Sequence, residues 1–156
     1  MPITTTKSWP AGLPCVLREG HSTQHGSPLV RTSMASGRAR QRRAFTSVPS
    51  VKKVSWIFSG PQCLAFEAWF RDTISDGAEW FNMDLRTPLG ISTPLVCRFT
   101  DMYEGPDIEA VDSWRVSAVL EVWTRPIIDG DWGLLPDFLL GVDIFDVAMN
   151  REWPAS

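Results

Sequence analysis

The run SWRVSAVLEVW, residues 113–123, limits the fold of this chain more than any other stretch. Trp114, Val116, Ala118, Leu120 and Val122 fall on one side of an extended backbone; Arg115, Ser117, Val119, Glu121 and Trp123 fall on the other. Alternation sustained over this length predicts a long β-strand with one face in a core. Such a strand needs neighbours, because a lone pair of strands is marginal in water. VKKVSWIFS (51–59) supplies one, with Val54, Trp56 and Phe58 alternating with Lys53, Ser55 and Ile57. AEWFNMDL (78–85) and ISTPLVCRF (91–99) supply two more, separated by a turn at Thr87-Pro88-Leu89-Gly90.

One segment breaks the two-residue period. After Ser59-Gly60-Pro61, apolar residues recur at Cys63, Phe66, Phe70 and Ile74, which is the spacing of a helix face. Ser59 or Gly60 sits at the predicted N-cap, Pro61 in the first turn, and Asp76-Gly77 at the stop. Upstream, Pro28–Met34 and Ala39–Ser47 flank Ala35-Ser36-Gly37 and read as a β-hairpin. The element order is therefore β-β-β-α-β-β-β. The expected fold is mainly β: an antiparallel β-sandwich or barrel with one helix packed on it. Its expected core is Val54, Trp56, Phe58, Phe66, Phe70, Trp80, Cys97, Trp114, Val116 and Leu120.

With 156 residues the chain fits one domain, of a size that buries roughly 70% of its unfolded surface. The reading assigns 28–125 to that domain and the flanks to arms. Residues 1–27 carry Pro2, Pro10 and Pro14 without a steady period and form an extended arm, ordered only if it packs on something. Residues 126–156 are rich in Leu, Ile, Phe and Trp but are interrupted by Pro126, Gly130, Gly133, Pro136 and Gly141. That arm is expected to dock on a neighbouring subunit or another protein through Leu134, Leu135, Phe138 and Phe145, among other apolar residues. DMYEGPDIEAVD, 101–112, reads as an acidic loop.

Charge is divided along the chain. Residues 1–55 hold nine Lys or Arg and one acid, whereas 56–156 hold six Arg and seventeen acids. SGRARQRRAF, residues 36–45, concentrates four of the cations: Arg38, Arg40, Arg42 and Arg43. On a strand, Arg40 and Arg42 share one face, and Gln41, Arg43 and Phe45 share the other, with Phe45 expected to point toward the core.

No sequence signature of catalysis is present: no G-x-S-x-G, no P-loop, no H-E-x-x-H. The acid pairs Asp72/Asp76 and Asp129/Asp131 lack a partner base and read as solvated. The chain is expected not to be an enzyme and to need no cofactor. Cys15, Cys63 and Cys97, with His21 and His25, make no zinc-type spacing. The cysteines read as small, mostly buried hydrophobes without disulfides, and the histidines as residues of a surface loop. No apolar run approaches the ~20 residues of a membrane span, and MPITTTKSWPAGLP has no signal-like apolar centre. A cytoplasmic setting without a membrane partner is expected.

The order of several short pieces carries a resemblance. Gly37-Arg38 leads to Trp56, then Phe66-Glu67, Gly77 with Trp80-Phe81, Cys97-Arg98, Trp114-Val116 and Leu120-Glu121. This succession, over about residues 30–125, resembles minor tail proteins of long-tailed bacteriophages: the lambda-type minor tail protein M and the N-terminal domain of distal tail proteins. The resemblance implies a virion structural protein, assembled in the bacterial host cytoplasm. It would form a ring at the distal tail, commonly of six copies, joining the tail tube to the hub or baseplate. Its neighbours would be tail-tube, tape-measure and hub proteins, with DNA passing through the lumen. Both arms depart from the compact lambda-type protein, so a head–tail connector or terminator ring stays open. So does a nucleic-acid-binding module using the arginine hairpin. Under the ring reading the arginines face acids of an adjacent subunit, with Asp101, Glu104, Asp107, Glu109 and Asp112 as the favoured patch.

Overall fold

The computed structural model describes residues 3–89, 94–128, 130–141, 144, 147 and 148. Two compact units emerge, 1–125 and 126–156. The first is mainly β and antiparallel, with one long helix against its sheet.

Strand β4 (Ser50–Phe58) and strand β8 (Ser113–Val122) form the spine of that sheet, paired antiparallel along the whole of β4. Their register sets Val54 opposite Ala118 and Trp56 opposite Val116, so the two alternations meet on one face. Strand β1 (Ser22–His25) extends the sheet beyond β4. On the other side, the last residues of β8 pair with β6 (Leu95–Phe99), which pairs with β5 (Phe81–Met83).

Helix α1 (Gly60–Asp72) covers the apolar face. The Ser59 backbone N–H donates to Gln62 Oε1 at 3.0 Å, which satisfies an N–H at the helix entrance. Phe66 lies 5.2 Å from Phe58 and 6.0 Å from both Trp56 and Phe70, centroid to centroid. Gly77 ends the turn after the helix with φ +85, and a Cβ there would meet Phe99 and the Phe70 ring at 3.0 and 3.1 Å. Only glycine suits both the backbone and the space.

The arm expected over 1–27 packs along the sheet wherever it is described. Trp9 stacks on Trp56 at 5.0 Å, its backbone N–H donates to Asn82 O, and Leu13 is buried. Leu17 N–H donates to Ser55 O, and β1 continues along the same edge of β4. His25 therefore lies on a strand rather than in a loop, with Nδ1 2.8 Å from Ser50 Oγ. His21 immediately precedes that strand, and its Nε2 is buried without a partner.

Other expectations need correction. Residues 101–112 are not a loop throughout: Glu104–Ala110 form strand β7, paired with the first half of β8 through register shifts. Every β7 side chain is exposed, so no alternation marked it, and Pro106 is tolerated because the strand is an edge. Trp80 is half-buried outside the core: its ring lies under the Arg98 guanidinium, 4.5 Å away, and edge-on to Trp123. Phe81, Met83 and Leu85 take the inward positions instead. Trp114 is partly buried and packs against the core from its rim. Val54, Trp56, Phe58, Phe66, Phe70, Cys97, Val116 and Leu120 are buried. Cys63 is buried too, but Cys15 is exposed.

In the second unit a short 3-10 turn (Trp132–Leu134) leads to α2 (Pro136–Leu140), with Pro136 in its first turn. No described helix is long and apolar enough to cross a membrane.

Candidate interaction surfaces

The arginine segment forms a separate two-stranded ribbon. Strand β2 (Leu29–Thr32) pairs antiparallel with β3 (Arg40–Arg43), Val30 facing Arg42 and Thr32 facing Arg40. All eight residues are exposed. Phe45, expected to point toward the core, is exposed as well. The core face belongs to β4, where Trp56 is sealed, while Phe45 stays 58% exposed among the described residues.

The four arginines divide. Arg43 is tied to its own chain, with Nε donating to Phe45 O at 3.0 Å and Nη2 to Thr46 O at 2.8 Å. Arg38, Arg40 and Arg42 are exposed and make no ion pair or hydrogen bond among the described residues. Val30, Thr32 and Met34 on one side and Arg40 and Arg42 on the other line an open groove of about 440 Å³.

The acidic counterpart lies on β7 and its flanks. Asp101, Glu104, Asp107, Glu109 and Asp112 are all exposed. Glu109 is already engaged: both its oxygens accept from Arg115, at 2.8 and 2.9 Å, and this holds its carboxyl below the usual carboxylate range. Asp107 pairs across the ladder with Arg115 but makes no side-chain bond. Among the favoured patch, Asp101, Glu104, Asp107 and Asp112 keep carboxylates free of ion pairs.

The third surface is the apolar stretch expected to dock on a neighbour. Leu134, Leu135 and Phe138 are exposed, with Phe138 stacked on Trp132 at 5.6 Å. Phe145 lies outside the described residues.

Two features escaped sequence reasoning. Arg98 Nη2 donates to Glu121 Oε2 at 2.6 Å while its guanidinium covers Trp80. Three separate pieces of the resemblance thus meet at one point on the sheet, and only the β6–β8 register, Arg98 opposite Glu121, could have joined them. Lys52 lies on the core-facing side of β4, nearly fully buried, with Nζ donating to Thr23 Oγ1 at 3.1 Å. Burial pushes its pKa below the usual lysine value. Strand β1, which sets Thr23 beside Lys52, was read as part of an arm.

Among the described residues no group of three or more His, Cys, Asp or Glu is placed to hold a metal ion. No family model, no curated protein and no solved structure matches this chain.

Proposed function

We propose that the chain is a structural subunit of a long-tailed bacteriophage tail. It would form a ring at the distal end that joins the tail tube to the hub or baseplate. The observation that carries this reading is the exposed ribbon, whose Arg38, Arg40 and Arg42 make no ion pair or hydrogen bond among the described residues, in a chain that is otherwise acidic. A cyclic oligomer needs two different, mutually complementary surfaces on each subunit, because its contact is heterologous. A cationic ribbon and an anionic remainder supply them. The succession of short sequence pieces from Gly37-Arg38 to Leu120-Glu121 supports the same reading. Tail-tube, tape-measure and hub proteins are the partners that follow from it, and six copies the expected number.

The test is solution size combined with charge reversal. Mass photometry of the full chain should give one closed oligomer that weakens as salt rises, since exposed charges are screened within ~10 Å at 0.1 M. The Arg40→Glu/Arg42→Glu variant should lose the oligomer and keep the fold. A wild-type chain that binds DNA, loses that binding in the variant and has no oligomer to lose would sink the ring and favour the nucleic-acid module.

A further inference from the structure

We propose that the C-terminal segment of one copy seats its apolar side chains in the β2–β3 groove of the next copy. This rests on the ring reading and names the acidic side of its contact.

The groove states what it needs. Val30, Thr32 and Met34 line it along β2 and beyond, Arg40 and Arg42 line it along β3 with no partner among the described residues, and residues 28–47 hold five arginines and no acid. An occupant must set apolar side chains against Val30 and Met34 and carboxylates against the arginines.

Two stretches of the chain are acidic enough. Residues 101–112 hold five acids and no base, but Arg115 already neutralises Glu109. Their exposed large apolar side chains are three: Met102, Ile108 and Val111. Residues 126–156 hold six acids and one base. There Leu134, Phe138 and Leu140 stand 78%, 59% and 80% exposed, close in sequence to Asp131 and Asp137. Neither Asp131 nor Asp137 makes a side-chain hydrogen bond or ion pair among the described residues.

Both surfaces also lack support of their own. An isolated helix as short as α2 is not stable in water, and α2 buries no residue. An isolated two-stranded ribbon is equally marginal. Apolar surface left exposed at this density marks a contact. The opposite charges fix register while the apolar side chains supply affinity. The contact joins different surfaces on the two copies, so it repeats head to tail, as the contact of a ring must.

The test is disulfide trapping between full-length chains. Exposed Cys15 is first replaced by Ser in every variant. Val30→Cys chains are mixed with Phe138→Cys chains and oxidised mildly; both sites are exposed, so neither substitution removes core packing. The expected result is a two-chain product several-fold more abundant than that from Val30→Cys mixed with Asp107→Cys. A dominant Val30–Asp107 product overturns the proposal and leaves the ring reading standing, because the ribbon would then meet β7. Closure within single Val30→Cys/Phe138→Cys chains, with no product from the mixture, also overturns it. So does absence of product from every pair. The ring reading is judged separately, by the size of the unsubstituted oligomer.

Discussion

β4–β8 and β2–β3 are both antiparallel ladders, yet they live in opposite conditions. The first pairs nine residues of β4 and buries one face beneath α1 and a layer of aromatic rings. The second pairs four residues a side and buries none of them. Backbone bonding is of the same kind in both. What differs is cover, since apolar burial contributes about 25 cal/mol per Å² and the net gain from a backbone hydrogen bond is small. β4–β8 can hold a fold; β2–β3, with every side chain exposed, contributes little to one.

The largest break in that comparison comes from Trp56. It is fully buried, stacked by Trp9 at 5.0 Å and flanked by Phe58 and Phe66. Trp56→Ala should cost about 3–5 kcal/mol and lower the melting temperature by roughly 10 °C. Val30→Ala on the ribbon should stay within about 0.5 kcal/mol. Calorimetric melts of the two variants check this directly. Equal losses would mean that the ribbon hides a core of its own.

A smaller break is available at the edge. Gly105 has φ +103, and a Cβ there would come within 2.6 Å of Arg115 O, where β7 joins β8. Gly105→Ala should therefore cost about 1–3 kcal/mol and act locally. Hydrogen exchange should quicken at β7 amides and stay slow in β4. Uniform quickening would show that β7 belongs to the same cooperative unit as the spine.

The same contrast explains what was legible in the sequence. β4, α1 and β8 could be read because burial on one side writes a period into the residues: two for Val54, Trp56 and Phe58, three to four for Cys63, Phe66, Phe70 and Ile74. β7 and β1 lack that imprint, since all their side chains are exposed and their pairing is decided by β8 and β4. The ribbon could be read from its turn residues alone, but Phe45 was misjudged because alternation does not say whether a cover exists. Trp80 was misplaced for a related reason: Phe81, one residue on, points inward, and a short strand gives too few positions to fix the phase.

Lys52 is a fault within the covered region. Its ammonium is buried on the core side with a single hydrogen bond, to Thr23. Lys52→Met keeps the volume and removes the charge, so it should stabilise the fold by about 1 kcal/mol at pH 7. The sign with pH follows from the depressed folded pKa. Between that value and the unfolded lysine value, about 10.4, the unfolded chain binds the extra proton, so wild-type stability rises with pH. The advantage of Lys52→Met is thus full below the window and shrinks as pH climbs through it. Cys97 acts in the opposite sense in both proteins: burial pushes its thiol up to about 12, and stability falls as the unfolded thiol ionises first. Melts at pH 7 and at about pH 10 separate the two terms. A gain that grew with pH would place the Lys52 charge in a favourable pairing.

The smallest expected change in stability belongs to the ribbon's own charges, and there the comparison is sharpest. Arg40→Glu/Arg42→Glu touches two exposed side chains that have no partner among the described residues, so melting should move by no more than about 0.5 kcal/mol. Each exposed pair lost at an interface is worth only ~0–1 kcal/mol, but two reversals replace attraction with repulsion at every repeat of a ring. Assembly should therefore fail while the fold persists, the reverse of what Trp56→Ala does. Salt cannot decide which partner was lost, because phosphates and carboxylates are screened alike. Compensation can. Asp131→Lys/Asp137→Lys added to the reversed ribbon should restore the oligomer if the C-terminal segment is the partner. Asp107→Lys/Asp112→Lys should restore it if β7 is. Restoration by neither, with DNA binding present in the wild type and absent from the ribbon variant, would assign the arginines to phosphates and remove the subunit contact from the argument.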